Sequence, residues 1–114
     1  MTKPKNTKKP TNPTTPTTEY VIVRCRNAGV HAGVLVKVTS LAVYLRDARR
    51  IWKWSGAMEL NELATYGAAK PDECKFGTPV TDHRIMTADV CEIIVTQDEG
   101  ERMIRGVKPW RFGK

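Results

Sequence analysis

Leu45-Arg46-Asp47-Ala48-Arg49-Arg50-Ile51-Trp52-Lys53-Trp54-Ser55-Gly56-Ala57 separates a β-patterned first half from the first convincing helix. It holds two of the three tryptophans and four cations, Arg46, Arg49, Arg50 and Lys53. Arg50, Trp52 and Trp54 alternate with Arg49, Ile51 and Lys53, the period of an extended chain. Ser55 stands where an N-cap belongs. A helix near 57–66 then gathers Leu60, Leu63 and Ala64 on one stripe, and Gly67 stops it.

Upstream, Tyr20–Arg26 is β-branched and alternating: Val21, Val23 and Cys25 share one face, Arg24 and Arg26 the other. Asn27-Ala28-Gly29 makes a turn. Gly33–Val38 is expected as a second strand with Val34, Val36 and Val38 inward, and Leu41–Leu45 as a third with Leu41, Val43 and Leu45 inward. Short links between them suggest a meander. Downstream, Lys75-Phe76 and Val80–Met86 are weaker strands and Asp89–Val95 a stronger one. Thr96 and Glu99 have the spacing of a capping box, opening a short helix with acids in its first turn and Arg102 and Arg105 in its last. Trp110 is placed to dock back on the body.

These elements predict an α+β fold. Its sheet is curved and antiparallel, of about five strands, with the option of closing partly into a barrel. One helix is expected near 57–66 and a short one near 97–105. Residues 1–18 contain four prolines, seven threonines and four lysines, which predicts a disordered basic arm. Residues 19–111 are expected to form one globular domain.

The formal charge is +7. Setting the arm's four lysines aside leaves 15 basic and 12 acidic side chains, a surplus of three. The excess therefore sits in the arm and in the Arg/Trp stretch, which suits an anionic partner. Three widely spaced cysteines define no disulfide framework and fit a reducing compartment. No apolar run is long enough to span a bilayer. These features lead to the expectation of a cytosolic protein.

The segments Tyr20–Arg24, Ala28–Gly33, Ala48–Ala57, Leu60 with Leu63-Ala64, Lys70-Pro71 and Glu92–Ile94 carry a likeness. Through them the chain resembles a family of small proteins of unknown function encoded by bacteriophages and prophages. The ARRIWKWSGA segment at 48–57 is its most specific part. The resemblance implies origin as a phage accessory protein, and with it a location in the cytoplasm of the bacterial host or, as the alternative, in the virion; it brings no activity or catalytic residue.

The candidate binding residues are Arg24, Arg26, Arg46, Arg49, Arg50, Trp52, Lys53 and Trp54. Guanidinium groups supply bidentate donors to phosphate, and an exposed indole stacks on a base. The alternative is a core role for the tryptophans, with the cations' aliphatic stems packed around them. The loop Asn27–Gly33 is a second candidate, since its glycines permit close approach of a ligand, and His31 within it is a ligand, an acid/base group or a solvated turn residue. Cys25, Cys74, Cys91, His31 and His83 contain no close metal-binding pair, and Asp47, Asp82 and His83 match no catalytic motif. No catalytic residue, metal or cofactor is assigned. The expected function is non-enzymatic binding of nucleic acid or a nucleotide. The alternatives are a protein-binding inhibitor of a host system such as anti-phage immunity and a virion component. Self-association into a homodimer or higher oligomer is compatible with any of these.

Overall fold

The computed structural model describes residues 18–112. The predicted arm lies almost wholly outside the described residues. The elements run β1 (Tyr20–Cys25), β2 (Val30–Val38), β3 (Ala42–Lys53), α1 (Leu60–Tyr66), β4 (Lys75–Phe76), β5 (Val80–Met86), β6 (Val90–Val95) and α2 (Asp98–Gly106). The fold is α+β. Six antiparallel strands, one more than expected, form an open sheet in the order β4-β3-β2-β1-β6, with β5 also pairing with β3.

β3 is the spine. Along one edge it pairs with β2; along the other it pairs first with β5, then with β4. The sequence suggests two extended pieces here, 41–45 and 49–54, yet they are one strand. A bulge absorbs the mismatch: Asp47 has φ 54, a left-handed conformation that aspartate tolerates better than most residues. Arg46 stands opposite Val34 and Arg49 opposite Ala32, which leaves one extra residue in β3.

A second irregularity, between Leu35 and Lys37, revises the expected inward set of β2. Val34 joins the helix-side core, whereas Leu35 and Val38 pack on the opposite side. Strict alternation fails because the extra residue at Val36 flips the face. Leu41, expected inward, is exposed because it sits in the Thr39–Leu41 turn, before β3 begins.

Both faces of the sheet are buried. On one, Tyr20, Ile22, Ala32, Val34, Ile51 and Phe76 pack against Leu60, Leu63 and Ala64 of α1 and Ile104 of α2. On the other, Val21, Val23, Cys25, Val43, Leu45, Ala48 and Ile85 form a second cluster. It contains no helical residue, so the curl of the sheet covers it. β1 is apolar on both sides for this reason. Its Val21, Ile22 and Val23 are completely buried.

The helix starts differ from the capping expected. Ser55 does not cap α1; its hydroxyl donates to Glu73 Oε1 at 3.0 Å. Glu59 occupies the N-cap position, and the Met58 N–H donates to Glu62 Oε1 at 2.7 Å. At α2, Gln97 takes the N-cap position without a side-chain bond. Thr96 instead donates both its N–H and its hydroxyl to the Tyr20 carbonyl, at 3.0 and 2.8 Å, fastening β6 to the start of β1. At the end of α1, Gly67 holds φ 84 with ψ −174, a combination closed to side-chain-bearing residues. Trp110 donates its N–H to the Phe76 carbonyl at 2.8 Å, which docks the terminal segment on β4. No helix among the described residues is long and apolar enough to cross a membrane.

Candidate functional site

The bulge at Asp47 decides where the cations of β3 go. Beyond it, Arg49 turns to the helix side and Arg50 to the opposite side. Arg49 is buried; its Nε donates to the Gly77 carbonyl and its Nη1 to the Ile104 carbonyl, each at 2.9 Å. Its guanidinium lies 5.6 Å from the Phe76 ring centroid. Arg49 is thus committed to the core, and burial lowers its pKa.

Arg50 stands opposite His31 of β2. Its guanidinium lies 5.7 Å from the ring centroid of Trp52, an indole that is 63% exposed. Trp54 is half-buried and packs against the edge of the helix-side core. These three side chains and the Asn27–Val30 loop wall a depression of about 430 Å³. A neighbouring depression of about 470 Å³ shares Asn27 and Ala28 and is bounded by His83, Arg84, Ile85, Met86 and Asp89. The alternation of Arg50, Trp52 and Trp54 was legible in the sequence; the loop that completes the wall was not joined to them.

The other candidate cations do not converge there. Arg24 pairs with Glu92 of β6 at 2.7 Å, and β2 separates its strand from β3. Arg26 is exposed at the end of β1. Arg46 stands opposite Val34 and Asp82, and Lys53 opposite Lys75.

The loop is held by Asp89. Its carboxylate accepts from the Asn27 N–H at 3.0 Å, the Asn27 side-chain amide at 2.7 Å and the Ala28 N–H at 2.9 Å. These bonds, the one from Ala28 first, hold its pKa below the usual carboxylate value. The positioned Ala28 carbonyl accepts a bond from His31 Nε2 at 2.8 Å. A carbonyl only accepts, so Nε2 carries the proton and Nδ1 is an acceptor.

His31 is 1% exposed and lies 4.9 Å, ring centroid to ring centroid, from His83. The sequence offered His31 as a solvated turn residue, and that reading is corrected: it lies within β2, opposite Arg50 of β3, and is buried against His83 of β5. Among the described residues, His31 Nδ1, Arg50 Nε and the core-bound Arg49 Nη2 are buried without a hydrogen-bond partner. Burial pushes the His31 pKa down to about 4, with Arg50 and His83 adding to the fall and the Ala28 bond opposing it. Burial, then Arg50, lowers His83 as well.

A pH dependence follows. Below pH 6.5 the unfolded chain binds a proton at His31 that the folded chain refuses until about pH 4. Stability is therefore full above that window, falls as pH drops through it and levels off below. The loss is on the order of 3 kcal/mol. Urea unfolding from pH 7.5 to 4 (as buffers, about these values) should show this slope. His31→Gln keeps a donor for the Ala28 carbonyl but cannot titrate, and should flatten the slope. An unchanged slope in that variant would remove His31 as its source.

The three cysteines are free, with Cys25 and Cys74 buried and Cys91 exposed. Among the described residues no group of three His, Cys, Asp or Glu side chains is placed to hold a metal ion.

Fold and site together define a small α+β protein with an open antiparallel sheet and an Arg/Trp-walled depression. The chain belongs to the family described as a domain of unknown function (DUF6948), whose model matches residues 18–104. No curated protein and no solved structure matches it.

Proposed function

We propose that this is a non-enzymatic phage accessory protein that binds an anionic partner, nucleic acid or a nucleotide, at the depression formed by Arg50, Trp52 and Trp54. One observation carries the reading: Arg50 lies over an exposed Trp52 on the wall of the depression. A guanidinium on the wall of a depression offers charge-assisted donors to an anionic ligand. The exposed indole offers a stacking surface beside that charge. The phage assignment rests on the resemblance carried by residues 48–57 and the other shared segments.

The test is recovery of ligand on the tagged protein from infected cells, with and without nuclease, at low and high salt. Nucleic acid or nucleotide should co-purify with the wild type and leave at high salt. Arg50→Ala and Trp52→Ala should each weaken binding about tenfold, with unchanged unfolding curves. Binding that survives both substitutions would end this reading.

A second reading, an inhibitor that binds a host protein, is supported by exposed Trp110 and Phe112 near the C-terminal end of the described chain. It would appear as a salt-resistant protein partner at fixed stoichiometry, lost on Trp110→Ala.

A further inference from the structure

We infer that the anionic partner is a compact one, a mononucleotide or dinucleotide, whose aromatic ring lies on Trp52 and whose phosphate takes Arg50, and not a nucleic-acid strand. This rests on the binding function proposed above and narrows its ligand class.

The first argument is the distribution of cations. A protein that follows a strand needs basic groups in a row along the backbone path, with aromatic platforms between them. The sequence of β3 suggests such a row, but the fold disperses it. Arg49 is inside, bonded to two carbonyls. Arg24 is neutralised by Glu92 on the far side of β2. Arg46 faces Asp82 across the β3–β5 pair. What converges on the depression is one guanidinium, that of Arg50, with two indoles. That is a site for one phosphate group and one ring.

The second argument is shape. The depression is about 430 Å³, within the rough range of 300–1,000 Å³ typical of small-ligand sites. It opens at Gly29, where a Cβ would meet nothing within 4 Å. The adjoining hollow of about 470 Å³ meets it at Asn27 and Ala28; its lining adds a second guanidinium, that of Arg84, beside the Asp89 carboxylate, and it gives room for the second half of a dinucleotide. A flat stacking platform for successive bases would expose several aromatic faces; here Trp54 is half-buried and only Trp52 of this pair is exposed.

The third argument is polarity. Arg50 Nε is a donor, and His31 Nδ1, on the residue directly opposite, is an acceptor. The Arg50 guanidinium lines the depression, where a phosphate oxygen would accept from it. The Asn27–Val30 wall is held by Asp89 before any ligand arrives, which reduces the ordering cost of binding.

The experiment is isothermal titration of the full chain with nucleoside mono- and diphosphates of each base, a cyclic dinucleotide, inorganic phosphate, and single-stranded DNA and RNA of about twelve nucleotides. The expected result is one nucleotide per chain for at least one of the small ligands, with a log–log salt slope near −1 and no tighter binding per site by the strands. Trp52→Ala and Arg50→Gln should each reduce that affinity about tenfold, while Trp52→Phe, which keeps a ring, restores most of it. Strands that bind with a slope of about −4 or steeper while every small ligand fails would overturn the compact partner and leave the anionic-partner reading standing. Inorganic phosphate binding as tightly as the nucleotides would overturn the ring on Trp52. No binding of any of these ligands would overturn both the inference and the reading it rests on.

Discussion

Gly100→Ala should unfold the protein or cost it about 3 kcal/mol or more. Gly100 is in the first turn of α2, where α2 lies directly on α1. A Cβ there would land on the Ala64 carbonyl oxygen and stand 2.6 Å from the Ala64 carbonyl carbon and 2.8 Å from the Leu63 carbonyl oxygen. These are backbone atoms, which cannot turn aside as a flexible side chain would. The same Ala64 carbonyl also accepts the Gln97 N–H at 2.9 Å, so separating the helices to admit a methyl group sacrifices that bond. It also loosens Leu63 and Ile104, both completely buried in the helix-side core. Gly106→Ala is the internal control. It lies in the same helix, a Cβ there meets nothing within 4 Å, and it should be neutral or stabilise by up to about 1 kcal/mol. Urea or thermal unfolding of the two variants is the measurement. A Gly100→Ala protein as stable as the wild type would mean that the two helices do not approach this closely.

Arg49→Ala should lose about 3 kcal/mol or more of stability, although a reading of the sequence would enter Arg49 as a binding residue. Its guanidinium joins three parts of the chain: β3, the Gly77 carbonyl just after β4 and the Ile104 carbonyl in α2. The last is one of the carbonyls that a helix leaves without an intrahelical partner at its C-terminal end, where the dipole also favours a cation. Truncation removes two charge-assisted bonds, strands two carbonyls and opens a cavity beside Phe76, itself completely buried. Arg49→Lys should recover little, because an ammonium cannot reproduce the fork that reaches both carbonyls. Arg50→Ala should show the opposite profile: near-normal stability and lost ligand binding. Denaturation midpoints and ligand titrations on both variants decide the matter. Arg49→Ala folding normally while binding fails would return Arg49 to the interface.

Adjacent arginines with opposite fates show where sequence reading reaches its end. Arg49 and Arg50 are alike in type and in their charged surroundings. Which one goes inside depends on the bulge at Asp47, and nothing in the local pattern announces a left-handed aspartate in the middle of a strand. The bulge also joins two predicted pieces into one 12-residue strand. Ser55 and Thr96 leave their helices uncapped for a related reason. Each has the right chemistry at the right spacing, but a distant partner, Glu73 or the Tyr20 carbonyl, competes for the same hydroxyl.

The amino-acid pattern alone determined the class of fold, most of the strands, the two helices within a few residues and the glycine that ends α1. These follow from short-range causes: side-chain period, β-branching and backbone conformations open to glycine. It also determined that charge and indoles would be concentrated between residues 46 and 54. The tertiary structure decided the rest. It buried His31 against His83, sent Arg49 inward, drew Arg24 away to Glu92 and set the Asn27–Val30 loop beside Trp52. Those outcomes depend on strand register and sheet curl, which are set by contacts between residues far apart in the chain.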